Sequence, residues 1–456
     1  MFKHSRTCLV SLLLAQLIGL PMFAQAQAQS QDKAVVPESE KTITEEKWNA
    51  KFQATYIGQS KPSFNAPYSG TNSLLTTKER GYSSTITAYL GYRPWAGGEL
   101  YFNPEMIQSA SMSTLHGLGG LTNAEQQKTS GAKPKFYKAR LFLRQTYGFG
   151  GEQEAVESGP NQLAGMVDRQ RLVVTVGNLG VIDVFDNNAY AHDPRTQFVN
   201  WAFLTHGAFD YAADARGYSN GAAVEYYQDA WAVRAARFMV PRQSNGLPLD
   251  LNIGKHYGDQ VELEHGHMIA EQPGKIKLLA FRNQEIMGSY ADAVTFAKAN
   301  GGVPDVGTVR KENVKYGLGL SLEQRLRSDV GLFARASWAD GKTETYSFTE
   351  IENSVSAGVV VNGDRWDRPN DTFGLAVAQN GLNKDHRSYL SLGGLGAFIG
   401  DGKINYRPER IIEGYYNIKV FKTSSIMVGL QRITNPAYNA DRGPVSVATL
   451  RLRTEF

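Results

Sequence analysis

Apolar and polar residues alternate with a period of two along most of this chain. From Val314 to Arg327, Val314, Tyr316, Leu318, Leu320, Leu322 and Leu326 share one parity, while Lys315, Gly317, Gly319, Ser321, Glu323, Arg325 and Arg327 share the other. A helix would spread those charges around its surface, whereas a strand sorts them onto two faces. Ser328-Asp329 then marks a tight turn, and Val330, Leu332, Ala334, Ala336 and Trp338 restart the alternation. The same sorting sets Trp48, Ala50, Phe52, Ala54 and Tyr56 against Asn49, Lys51, Gln53 and Thr55. It sets Tyr137, Ala139, Leu141 and Leu143 against Lys138, Arg140 and Arg144, and Leu172, Val174 and Val176 against Arg171 and Thr175. Ile351, Val355, Ala357, Val359 and Val361 likewise oppose Glu350, Glu352 and Ser354, and Ile412, Tyr416, Ile418 and Val420 oppose Glu409, Glu413, Asn417 and Lys419. The last segment alternates to its end, with Ala448, Leu450, Leu452, Thr454 and Phe456 facing away from Thr449, Arg451, Arg453 and Glu455. These are strands with one greasy and one polar face.

Two environments suit such strands: a soluble sandwich, or a membrane barrel with lipid outside and water within. The chain's start and end favour the barrel. Lys3, His4 and Arg6 precede an apolar run from Cys8 to Leu20 that Pro21 breaks, and Ala24-Gln25-Ala26 and Ala26-Gln27-Ala28 offer cleavage sites. That is the pattern of a signal peptide over residues 1–28, with cleavage after Ala26 or Ala28. A final strand that ends on Phe456 resembles the signal read by the outer-membrane barrel-assembly machinery. Composition agrees. A net charge of +4, which falls to +2 once Lys3 and Arg6 are removed, implies no nucleic-acid partner. The single Cys lies in the signal, so no intrachain disulfide forms. Mean hydropathy is low at -0.35, but it averages two faces that meet different solvents.

A single-chain bacterial barrel needs an even strand count with both ends in the periplasm. Seventeen segments are candidates. The Gly-rich stretch from Tyr389 to Ile399 has no charged face, and placing it in a loop with a helical turn leaves sixteen. The expected fold is therefore an all-β, sixteen-stranded antiparallel transmembrane barrel over 47–456, preceded by a periplasmic segment at 29–46. Short periplasmic turns fall at Ser328-Asp329, Gln228 to Ala230 and Thr423 to Ser425. Long extracellular loops fall at 58–83, 107–135, 179–217, 240–257, 285–312, 381–407 and 434–444. Sixteen strands leave a lumen wide enough for water.

Inward charges require that water. The inward parity carries Arg140, Arg144, Arg171, Glu323, Arg325, Arg335, Glu413, Arg451 and Arg453 as candidate pore-lining residues. Each could instead pair with a neighbour and stiffen the wall. The richest loop, Asn178 to Tyr218, holds Phe185, Phe198, Trp201, Phe203 and Phe209. It is too apolar to float in solvent and is expected to pack on the inner wall and narrow the pore. His265-Gly266-His267 and Asp385-His386 are the candidates for metal or hydrolytic chemistry, and Glu262 with Glu264 for a carboxylate pair. The first shares parity with outward Val261 and Leu263, the second lies in a loop with no identified nucleophile, and the two glutamates share one wall and suit channel lining, so no catalytic residue, metal or cofactor is assigned.

Long motifs within this pattern resemble the carbohydrate-selective porins of the OprB family: VVTVGNLGVIDVFDNNAYAHDPRTQFVNWAF followed by ADARGY, then GLSLEQ, FARASWADGKTETYSFTEIENSVSAGVVVNGDRW and NPAYNADRGPVSVATLRLRTEF. The resemblance spans residue 46 to the end. It implies a Gram-negative outer-membrane channel that passes sugars such as glucose by diffusion. It also implies that Asp186, Asn187, Asp193, Arg195, Asn200, Asp210 and Arg216 lie on or near the constricting loop, in which Trp201 is a candidate from the aromatic pattern of the loop itself. The arginine-rich lumen would equally suit sugar-like hydroxy acids such as quinate or gluconate, or anions generally; an outer-membrane hydrolase is the rival of another class. The expected partners are outer-membrane lipid and polar solutes. A homotrimer, common among such barrels, is left open.

Overall fold

The computed structural model describes residues 43–126, 131–348 and 350–456. The expected signal segment and residues 29–42 lie outside the described residues. The alternating segments form β1 (Trp48–Lys61), β2 (Glu79–Trp95), β3 (Gly98–Ala110), β4 (Lys135–Gly148), β7 (Arg171–Leu179), β8 (Ser219–Gln228), β9 (Trp231–Phe238), β10 (Tyr257–Ile269) and β11 (Gln272–Met287). They continue through β12 (Lys311–Arg327), β13 (Val330–Ala339), β14 (Asn353–Gly363), β15 (Arg368–Gly381), β16 (Glu409–Phe421), β17 (Ser424–Thr434) and β18 (Val445–Glu455). These sixteen strands make one closed antiparallel barrel, and β1 meets β18 from Gln53↔Glu455 to Ser60↔Ala448. Phe52 and Phe456 exchange backbone hydrogen bonds of 2.8 and 3.0 Å at the seam. Closure pairs the backbone groups that an open sheet edge would strand in lipid. No described helix is long and apolar enough to cross a membrane.

The outer face is an apolar band. Val261, Leu278, Leu318 and Leu430 are among its exposed side chains. Trp48, Tyr92, Trp95, Tyr147, Phe149, Trp231, Trp366 and Phe421 are exposed where the short turns lie. They form the aromatic girdle expected at the membrane interface.

Four features depart from the sequence reading. First, 340–352 is an additional long loop: β14 starts at Asn353, so Glu350, Ile351 and Glu352 precede the strand. Its alternation of Thr and Ser with bulkier residues mimics a strand, but the described residues 343–348 and 350–352 are buried, with Tyr346 and Ser347 bonded to Asp210 of the loop 180–218. Second, Tyr137 points inward. The register shifts between Asn103 and Pro104, because proline has no N–H to continue the ladder, and the Tyr137 hydroxyl donates to Glu105 on the inner wall. Third, the β4–β7 connection at 149–170 is long and carries its own hairpin, β5 (Gln153–Val156) with β6 (Gly165–Asp168). Fourth, 288–310 holds an eleven-residue helix, Tyr290–Asn300. The helical turn expected in 381–407 is present as Lys384–Ser391.

The outward parity makes a direct prediction. Leu278 is 54% exposed on the lipid face between Leu263 and Leu320. Leu278→Arg should cost about 2–4 kcal/mol near the bilayer midplane, read as reversible refolding into phospholipid vesicles. A cost near zero would place this face in water.

Candidate functional site

The loop 180–218 folds back into the lumen because its aromatic side chains can leave water only by building a core there. Phe198 packs on Phe203, Phe333 and Tyr415 at centroid distances of 5.3, 5.7 and 5.0 Å. Trp201 and Tyr211 close on Phe348 of the 340–352 loop at 4.9 and 4.6 Å. Residues 111–126 of the second long loop join this core. Trp201 N donates to Leu121 O at 2.9 Å and Ala124 N to Val199 O at 3.0 Å.

Wall and loop are then fastened by buried polar pairs. Arg335 bonds the Asp186 carboxylate at 3.0 Å and the Phe203 and Ala191 carbonyls at 3.0 and 2.6 Å. Thr205 Oγ1 and His206 N donate to the same carboxylate. Glu413 accepts from Val199 N and Asn200 N at 2.7 and 2.9 Å. Arg451 donates to the Pro194, Gln197 and Thr196 carbonyls, and Glu323 accepts from Ala189 N. Asp210 takes Lys315 at 2.8 Å together with Tyr346 N and Ser347 N. Arg195 spans to Glu105 and Glu125, both at 2.8 Å. Asn200 caps the helical turn Trp201–Leu204 through Ala202 N and donates to Gln431.

These contacts correct part of the sequence reading. Glu323, Arg335, Glu413 and Arg451 sit under the loop and do not line an open wall; Asp186, Arg195, Asn200, Trp201 and Asp210 are buried with them. Burial alone would raise the Asp186 carboxyl and lower the Arg195 guanidinium. Arg335 holds the first well below the usual carboxylate range. Glu105 and Glu125 hold the second firmly protonated. His206 lies 3.6 Å from the Asp186 carboxylate, but burial outweighs that charge and pushes it down to about 4.

The half-buried and exposed groups form a different set: Asn187, Asp193 and Arg216 on the loop, with Arg140, Arg144, Arg171, Arg325 and Arg453 on the wall. Arg140 forks onto Asp183 at 2.6 and 2.5 Å and lies over Tyr218. Arg216 stacks on Tyr137 at 4.6 Å, Arg144 on Tyr101 at 5.2 Å and Arg171 on Tyr227 at 4.3 Å. Arg144 lies 3.6 Å from Glu99, Arg171 bonds Glu154 at 2.8 Å and Arg453 bonds Glu455 at 2.6 Å. A strip of guanidinium groups on tyrosine faces thus descends β4 and β7 from the loop to the periplasmic mouth. Such a strip offers fixed donors, neighbouring acceptors and flat apolar faces at little net charge.

Sequence reasoning missed Tyr89, Tyr137, Glu105 and Glu125, which surround Arg195 and Arg216. Pro104, directly after the inward Asn103, was the available sign that the parity of β4 would break. The histidines stand apart from this strip. His265 lies against Trp231 at 4.3 Å, and His267 pairs with Gln324 at 3.0 Å. Glu262 and Glu264 share Arg234 at 2.9 Å each. His386 is buried against Glu352 at 2.5 Å. Among the described residues no three potential ligands gather for a metal.

Comparison with known proteins agrees with this architecture. The profile of the carbohydrate-selective porins, OprB family, matches residues 92–456. No curated protein matches in sequence. The high-pH structure of Pseudomonas putida OprB superposes with a TM-score of 0.68 at 18% identity, covering 90% of this chain and 94% of that one. The low-pH structure of the same protein gives 0.47 at 15% identity, over 89% and 92%. The DcaP channel of Acinetobacter baumannii gives 0.49 at 9% identity, over 90% and 97%.

The fasteners predict a pH limit. The Asp186–Arg335 pair stabilises the docked loop fully above the unfolded carboxyl value of about 3.9 and loses that contribution as pH falls from there toward the lower folded value. Proteolysis of 180–218 should stay slow down to about pH 5 and accelerate below about pH 4. Arg335→Leu strands a buried carboxylate at a cost of about 3–5 kcal/mol, so it should expose the loop to protease at neutral pH. An intact, resistant loop in that variant would sink the assignment.

Proposed function

The chain belongs to the carbohydrate-selective porins of the OprB family, and from that premise we infer that its channel favours neutral monosaccharides such as glucose over charged or larger solutes. It is an outer-membrane porin of the Gram-negative envelope, and its family and fold neighbours are channels. The observation that carries the finer reading is the arginine–tyrosine strip. Most of its cations are matched nearby: Arg140 by Asp183, Arg144 by Glu99 and Arg171 by Glu154. Hydroxyl groups of a sugar can exchange hydrogen bonds with such paired ions without a net charge to repay the desolvation. A bare anion gains less there, because Arg140, Arg144 and Arg171 already have their carboxylates. Passage needs no bond to break, so no catalytic step is assigned. Phe456, bonded at the seam, would be the end read by the assembly machinery.

One observation favours a mild preference for anions at the outer end. Arg216 stacks on Tyr137 and has no carboxylate within ion-pair distance among the described residues. Hydroxy acids such as quinate are therefore the fair comparison for glucose.

Swelling of liposomes carrying the purified protein decides between these solutes. Glucose should enter faster than a disaccharide and faster than quinate, with a rate linear in concentration. Equal rates for all three would remove the selectivity, and saturable conversion to a product would point to an enzyme. In planar bilayers, Arg216→Ala should shift the reversal potential toward cations. Arg195→Ala is expected to loosen the loop instead, because Arg195 is already neutralised by Glu105 and Glu125.

A further inference from the structure

The other connections at the periplasmic end of the barrel use at most four residues, but β4 and β7 are joined by 149–170. The extra chain does not hang free. Its tip makes a tight turn in which Gly159 and Gln162 exchange backbone hydrogen bonds, with Asn161 at φ +56°, a conformation asparagine tolerates. That turn is held by residues of inward parity. Asn49 of β1 donates to Gln162 O at 2.8 Å, to Ser158 Oγ at 3.1 Å and to Gly159 O at 3.4 Å. Arg144 of β4 donates to Asn161 O at 3.0 Å. The Tyr101 hydroxyl of β3 accepts from Leu163 N at 3.1 Å. Leu163 is 2% exposed and packs with Tyr101 and Phe142, both on the inner wall. Residues 158–163 therefore sit inside the periplasmic mouth, against Arg144 of the solute strip. The base of the segment is clamped as well. Ala164 and Glu46 exchange hydrogen bonds of 2.9 Å each, and Arg171 reaches Glu154 at 2.8 Å.

We propose that segment 149–170 is a second constriction at the periplasmic exit, with residues 158–163 limiting solute size and the carboxylates behind them setting the local charge. The proposal rests on the sugar-channel reading and extends it to the way out. The tip presents Ser158, Asn161 and Gln162, uncharged groups suited to exchanging hydrogen bonds with hydroxyls. The segment also brings four carboxylates, Glu152, Glu154, Glu157 and Asp168, against one cation, Arg169. Glu154 meets Arg171 of the wall at 2.8 Å, while Arg93 and Arg144 already have Glu45 and Glu99, so the segment's remaining negative charge keeps the mouth from holding anions. A solute that clears the outer loop thus meets a second filter, narrow and close to neutral.

The test replaces 150–169 with Asn-Gly, a connection as short as its neighbours. Heat-dependent gel mobility checks that the barrel has closed. Single-channel conductance in KCl should rise about twofold as the exit widens. The ratio of disaccharide to glucose swelling rates should rise, and the reversal potential should move toward anions. A second pair of variants keeps the chain and frees the tip: Asn49→Ala removes its three hydrogen bonds, and Leu163→Ser removes its apolar seat. Both should raise the disaccharide ratio, and if the deletion does not close into a barrel they decide the matter. Unchanged conductance, ratio and potential in the folded variants would overturn the proposal. If the parent passes glucose and the variants match it, only the exit filter falls. If the parent passes no sugar, the substrate reading falls, while conductance and potential still judge the exit.

Discussion

A polar group turned into a barrel must be either hydrated or paired, and the organisation of this lumen follows from that choice. An isolated buried charge costs several kcal/mol, so the inward charges beside the loop and along the strip meet two different fates. Those above mid-height are taken out of water by the folded-in loops and carry bonded partners: Arg335 with Asp186, Glu413 with the Val199 and Asn200 amides, Arg451 with three carbonyls. Those beside or below the loops keep contact with water, and Arg140, Arg144 and Arg171 among them lie over tyrosine rings. The same parity of the same strands thus supplies the rivets of the constriction and the surface over which solute moves.

The loops in turn obey the ordinary rule for apolar surface. Phe185, Phe198, Phe203, Phe209 and Tyr211 are almost completely buried, each contributing about 1.5–3 kcal/mol on leaving water. They pack on one another, on the 340–352 loop and on the few inward apolar wall residues such as Phe281, Phe333 and Tyr415. The apolar core of this membrane protein accordingly lies inside the ring of strands, while the lipid-facing band contributes anchoring.

Much of this was legible in the sequence, because parity is a local property. The alternation around Leu318 and Leu320 locates the strands and their outer face, and the aromatic content of 180–218 announces a loop that must dock. What parity cannot tell is whether an inward arginine will be roofed over. Arg335 and Arg144 look alike along their strands, and only the loop folded over the first separates them. Pro104 shows the second limit: one missing N–H shifts the register and turns Tyr137 inward. The 340–352 segment shows the third, since a buried loop can alternate as a strand does.

The bonds that seat the constriction join distant parts of the chain. Asp186 and Arg335 are 149 residues apart, Val199 and Glu413 are 214 apart, and Pro194 and Arg451 are 257 apart. Contacts of such long range carry a large closure entropy and come late in folding. The seats offered by Glu413 and Arg451 exist only where β16 and β18 have taken their places in the ring. The C-terminal strands therefore close the wall and complete the seating of the constriction with the same residues.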